Sequence, residues 1–285
     1  MNIALIGLGE VGRVLAEDLA DGNALSAWDI AFDDPQSRAA RNAGELTVLV
    51  ASDAADAVRS AELVISAVTA ANDLSAARDA TSAISAGAWF VDLNSASPAQ
   101  KQEASVLVDA MGGRYVEAAV LSPIHPKRIA SPMLLGGPHA SDFTDIARAL
   151  GFSGVEFFAP TVGPASATKL CRSVVVKGME ALLMESMLTA RMWGVEKPVL
   201  DSLSNLLPAA DWAELADYMI RRSIEHGERR SEEMVEAAST VRDAGVDALM
   251  ATATARRQAW AADQRDALEA TDLGGLLDAI RAAHR

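Results

Sequence analysis

With 285 residues, half of them apolar, the chain can bury a sizeable core, and two medium domains are expected. A formal charge of -14 repels a phosphate backbone and argues against nucleic acid as a partner. No apolar run approaches the roughly 20 residues that span a bilayer. The N-terminus carries no export signal and the single cysteine, Cys171, rules out an internal disulfide, so a cytoplasmic protein with no membrane contact is expected.

Short apolar runs alternate with helical patterns over the first 160 residues, with strands near 2–6, 24–29, 46–50, 62–67, 88–92, 115–120, 131–136 and 154–158. That alternation predicts a mostly parallel, doubly wound α/β sheet. The first strand runs into Gly7-Leu8-Gly9-Glu10-Val11-Gly12 and a helix from about Glu10, which is the context a dinucleotide-binding glycine motif requires. Gly7 would allow the tight turn, Gly9 the approach of a pyrophosphate and Gly12 close packing of helix on strand. Asp29 ends the second strand, where a carboxylate accepts bonds from both ribose hydroxyls and repels a 2′-phosphate; NAD is therefore expected over NADP.

Farther along, Val68-Thr69 and Asn94-Ser95 follow the fourth and fifth strands and are expected to face the cofactor, Ser95 also the substrate. Ser97-Pro98-Ala99-Gln100 reads as a helix start with proline in the first turn. Strand signals stop after Pro160, placing a dinucleotide-binding domain at 1–162 and an all-helical domain at 163–285, with breaks at Gly194, Pro198, Pro208 and Gly245. The first helix beyond the boundary, about 164–193, is apolar nearly all round, which leads us to expect a homodimer through the C-terminal domain and a buried Cys171.

On that helix Lys169, Ser173 and Lys177 fall at i, i+4 and i+8, with Glu180 on the same narrow arc. Only five of the 25 basic residues are lysine, so two on one apolar helix draw notice. Removing a hydroxyl proton during hydride transfer needs a base, and a partly desolvated lysine beside another cation suits that work. No spacing of histidines or carboxylates predicts a metal site.

The glycine segment, Asp92-x-Asn94-Ser95-x-Ser97-Pro98 and Val162-Gly163…Lys169, in that order, resemble the β-hydroxyacid dehydrogenase superfamily, which includes 6-phosphogluconate and 3-hydroxyisobutyrate dehydrogenases. The resemblance covers the chain to about residue 195 and implies that Lys169 is the general acid/base. Three segments depart from the family pattern. Leu121-Ser122-Pro123-Ile124-His125-Pro126 stands where a Ser-Gly-Gly loop is usual, Ser173 replaces an asparagine, and Arg229-Arg230-Ser231-Glu232-Glu233 replaces a Lys-Asp pair. These departures mark a branch with a divergent C-terminal domain. They suggest a pocket for a small anionic substrate built from Ser122, His125, Ser173 and Lys177, with His226 and Arg229 or Arg230 as further members. The expected activity is NAD(P)-dependent interconversion of a small hydroxy acid with its oxo acid or semialdehyde. An imine reductase-like enzyme and a non-catalytic NAD-binding module are the alternatives.

Overall fold

In the first strand, β1 (Asn2–Ile6), every residue after Asn2 is buried. Alternate side chains leave opposite faces of a strand, so a strand covered on both sides reads as a continuous apolar run. Ile3 and Leu5 join a core on one face with Leu8, Leu15, Leu19 and Phe143; Ala4 and Ile6 join another with Val64, Phe90 and Tyr115. The computed structural model, which describes residues 1–205 and 211–283, forms two compact units, Met1–Lys169 and Leu170–Arg285.

In the first unit β1 is followed by α1 (Glu10–Leu19), β2 (Ala24–Trp28), α2 (Arg38–Glu45), β3 (Leu49–Val50), α3 (Ala54–Val58), β4 (Leu63–Ser66) and α4 (Asp73–Thr81). Then come β5 (Trp89–Asp92), α5 (Pro98–Ala110), β6 (Arg114–Val120), β7 (Met133–Gly136), α6 (Ala140–Ala149) and β8 (Val155–Ala159). The eight strands make one sheet, ordered β3-β2-β1-β4-β5-β6-β7-β8. All neighbours run parallel except β6 and β7. The winding direction reverses between β1 and β4, and ligands of such sheets lie beyond the strand ends at that point. All eight expected strands are present. β3 keeps only two exposed residues at the sheet edge, because Leu46 still caps α2.

The long helix α7 (Pro164–Trp193) starts in the first unit and continues through the second, where α8 (Glu196–Leu203), α9 (Trp212–Asp243), α10 (Leu249–Ala262) and α11 (Leu273–Ala282) follow. Asp211 caps α9 by accepting the N–H groups of Ala213 and Glu214. Gly227 lets α10 lie against α9, since a Cβ there would stand 2.4 Å from the Gln258 carbonyl oxygen. Leu183, Met184, Met187, Ile220, Ile224, Leu276 and Ile280 form the main core of this unit.

Two local expectations are corrected. Pro198 does not interrupt a helix; it sits in the first turn of α8, where a missing N–H costs nothing. Cys171 is exposed, because Leu170 and Val174 take the inward face of α7 and leave position 171 turned about 100° away. Pro208 lies outside the described residues.

Candidate cofactor and active site

Two of the three glycines of the first turn are required by the backbone around them. Gly7 has φ +96°, and a Cβ on it would lie 2.5 Å from the Ala67 carbonyl oxygen. At Gly12 a Cβ would lie 2.1 Å from the Gly7 carbonyl oxygen, so α1 packs directly on the turn that precedes it. Around Gly9 there is nothing within 4 Å of the Cβ position, and α1 begins there with no side-chain cap. Open space beside free amide groups at a helix start is what a pyrophosphate requires, so these residues fit a dinucleotide. Glu10 is exposed and Val11 half-buried at this start.

Asp29 lies at the carboxyl end of β2. Its Oδ2 accepts the Leu8 N–H at 2.7 Å and its Oδ1 accepts the Ala31 N–H at 2.9 Å, so the carboxylate tightens the glycine turn and each oxygen has capacity for a further hydrogen bond. Asn42 of α2 supports the same turn from the other side: its amide donates to the carbonyls of Leu8 (2.7 Å) and Gly9 (3.1 Å) and accepts from Arg13. Sequence reading missed Asn42. The two carbonyls it donates to are more than 30 residues away, and no short motif announces such a contact.

The loops beyond β4 and β5 are braced by Asn94. Its Oδ1 accepts the Val68 N–H at 2.7 Å, and its Nδ2 donates to Ser66 (2.9 Å) and Asp73 (2.7 Å). With both amide hydrogens used and the residue buried, Asn94 acts as a strut between two loops. Ser95 is half-buried and Thr69 exposed. Underneath, Asp92 forms a buried ion pair with Lys101, accepts the Asn94 N–H at 2.9 Å and accepts the Tyr115 hydroxyl at 2.7 Å. Burial first, and then the charge of Asp92, push the Asp73 carboxyl up to about 7, while Lys101 and the Asn94 hydrogen bond oppose the rise. The Tyr115 phenol is pushed well above its ordinary value by the same burial and the same carboxylate, so it remains a donor.

Lys169 is half-buried in the second turn of α7. The first turn is held by Glu117 on β6, which accepts the N–H groups of Gly163 and Ser166. In the β6–β7 connection Ser122 is half-buried, whereas His125 is exposed and lines a cleft with Glu10, Arg13, Arg38, Arg41 and Asn42.

Within the second unit, the stripe that continues from Lys169 is buried and answered in charge. Lys177 pairs with Glu233 and donates to Ser173 at 3.0 Å, while Arg229 reaches the other oxygen of Glu233 at 3.1 Å. Glu180 pairs with Arg230 and accepts from Gln258 at 3.2 Å. Desolvation pulls the Lys177 ammonium below its ordinary value, opposed by Glu233. His226 is also lowered by burial and stands 3.5 Å from Glu225. Lys177 thus bridges Ser173 and Glu233. Among the described residues, no group of three or more His, Cys, Asp or Glu is arranged to hold a metal ion, and no helix is long and apolar enough to cross a membrane.

Residues 2–159 match the family described as the NAD binding domain of 6-phosphogluconate dehydrogenase, and residues 190–261 match a domain of unknown function (DUF1932). A conserved hypothetical protein from Sinorhizobium meliloti 1021 is 34% identical, with TM-score 0.73 over 99% of this chain and 96% of that one. The Mycobacterium tuberculosis 3-hydroxyisobutyrate dehydrogenase shares the fold at TM-score 0.71 and 18% identity, covering 100% of this chain and 99% of that one. The human mitochondrial 3-hydroxyisobutyrate dehydrogenase is 23% identical over 74% of this chain, a match that spans 63% of that enzyme's length. The chain belongs to the β-hydroxyacid dehydrogenase superfamily, in a branch whose second domain is of the DUF1932 kind. Its N-terminal domain is a nicotinamide-dinucleotide domain of the Rossmann type, and the fold is that of an NAD(P)-dependent oxidoreductase.

Proposed function

We propose that the protein interconverts a small hydroxy acid and its oxo acid or semialdehyde with NAD, and that Lys169 takes and returns the hydroxyl proton. The observation that carries this reading is a half-buried lysine on the second turn of a helix whose first turn is fixed by a buried carboxylate, in a chain whose other unit-one features serve a dinucleotide. A bound nicotinamide supplies the hydride acceptor. The chain's own groups then have separate tasks. Asp29 holds the ribose hydroxyls and disfavours a 2′-phosphate. The α1 amides after Gly9 hold the pyrophosphate. Val68 and Thr69 would face the nicotinamide, with the Val68 N–H held by Asn94. Ser95 and Ser122 offer hydroxyls to orient the substrate. Ser173 and Lys177, bound to each other and Lys177 also to Glu233, take the supporting part.

Lys169→Ala tests the assignment. In a screen of hydroxy acids against NAD and NADP, the variant should bind NAD as the wild type does and lose turnover, with a loss on the order of 10² to 10⁴. Full turnover in a folded variant would remove Lys169 from the chemistry. We also propose a cytoplasmic homodimer formed through the second unit, since α7 exposes Val175, Leu182 and Trp193. Sedimentation of a monomer at micromolar concentration would contradict it.

A further inference from the structure

A glutamate in the middle of a covered sheet calls for an explanation, because burying a carboxylate is expensive unless hydrogen bonds replace its water. Glu117 is fully buried on β6, and both of its oxygens are used on one object, the start of α7. Oε2 accepts the Gly163 N–H at 2.8 Å and Oε1 accepts the Ser166 N–H at 2.7 Å. A helix start leaves its first amide groups without intrahelical partners, and a side chain of the preceding residue usually answers one of them. Here that residue is Gly163, with φ +125°, which has no side chain to offer. The next residue, Pro164, has no N–H to satisfy. The Ser166 hydroxyl donates to the Gly163 carbonyl instead of accepting. The capping chemistry that a local Ser and Glu would share therefore comes from a strand 46 and 49 residues away in sequence.

The sheet makes room for it. Gly136 lies opposite Glu117 in the antiparallel register of β6 and β7. A Cβ on Gly136 would stand 2.5 Å from Glu117 Oε2. The bare position lets the carboxylate lie across β7 toward α7. Lys169 follows Ser166 by three residues, and side chains at that spacing share a helix face. An anion fixed at the first turn also offsets the positive end of the helix dipole near that lysine.

We infer that Glu117, seated over Gly136, is a positioning residue for Lys169: it clamps the first turn of α7 and so sets where the lysine ammonium stands and how readily it gives up its proton. This inference rests on Lys169 being the acid/base, and the experiment separates the two. Lysines are labelled by reductive ¹³C-methylation, and the Lys169 resonance, one of five, is assigned by its loss in Lys169→Arg. It is then titrated in the wild type and in Glu117→Gln, a variant that keeps one acceptor and loses the charge. Unlabelled enzyme gives kcat, KM for NAD and the pH profile.

The expected result has the Lys169 midpoint moving toward acid by about half a unit or more, since a neighbouring anion favours the charged ammonium. Turnover should fall tenfold or more with KM for NAD held within twofold, and the lower limb of the pH profile should follow the midpoint. Gly136→Ala, which retains the carboxylate but displaces it, should lower kcat in the same way and provides the reading if Glu117→Gln fails to fold. Unchanged midpoint and kcat in a folded variant would overturn the inference. A displaced midpoint alongside an active Lys169→Ala would leave Glu117 as the clamp and remove Lys169 from catalysis.

Discussion

Each unit buries a cluster of charges, and the two clusters are balanced differently. Beneath the loops after β4 and β5, two carboxylates, Asp73 and Asp92, face one cation, Lys101. In the helical unit, Lys177 and Arg230 meet Glu233 and Glu180, with Arg229 at the exposed side of Glu233. The first arrangement has one negative charge too many for its burial, and the Asp73 carboxyl is pushed up to about 7. The second pairs each of its two buried cations with a carboxylate. A buried cluster with surplus charge is sensitive to pH, whereas a matched one is sensitive to loss of a partner.

The largest expected effect breaks the matched cluster. Glu233→Gln leaves Lys177 buried beside Arg230 without its counter-ion, and removing one partner of such a pair costs on the order of 3–5 kcal/mol. Chemical denaturation would show this as a lower midpoint with an unchanged slope. Pairing Lys177→Met with Glu233→Leu should restore most of the loss, because then no lone charge is buried.

Asp73 offers the contrasting case. Its folded value, about 7, lies above the ordinary 3.8, so the folded state binds the extra proton. The associated stability is complete below about 4 and is lost as pH rises through 7, at about 1.4 kcal/mol for each unit of displacement. Asp73→Asn imitates the protonated acid: its carbonyl can accept from Asn94 while its amide faces Asp92. Melting temperatures taken from pH 4 to 8 should decline in the wild type and stay flatter in the variant, with the gain largest at pH 8. An equal slope in both proteins would mean that Asp73 is not the group responsible.

The strut above that cluster comes next in size. Asn94→Ala deletes three hydrogen bonds and leaves the Val68 N–H and the Asp73 carboxyl without their partner, a cost of about 1–3 kcal/mol for each buried group left unsatisfied. NAD affinity measured by calorimetry should weaken by about tenfold. The smallest expected change is at Asp29. Asp29→Ser should weaken NAD by about 1–2 kcal/mol and leave NADP unaffected or slightly improved. Equal losses for the two cofactors would deny Asp29 its selective role.

How far these features were legible in the sequence depends on the range of the interaction behind them. The glycine turn and the eight strands could be read because period-two patterning and backbone crowding act within a few residues. The α7 stripe could be read because helical geometry alone places Lys169, Ser173 and Lys177 on one arc. Its answering residue, Glu233, lies 56 positions beyond Lys177, and nothing local links the two. Glu117, Asn42 and Asp73 were missed for the same reason: each works through a partner more than 20 residues distant. Cys171 was misjudged because a helix rich in apolar residues does not say which of them turn outward.

The central claim is that Lys169 handles the proton. Its most direct measurement is single-turnover reduction of NAD by Lys169→Ala, with the hydroxy acid that gives the highest wild-type rate and with NAD binding measured on the same sample. NAD affinity should stay within twofold of the wild type while the hydride-transfer rate falls by a factor on the order of 10² or more. A variant that binds NAD and reduces it at the wild-type rate would contradict it.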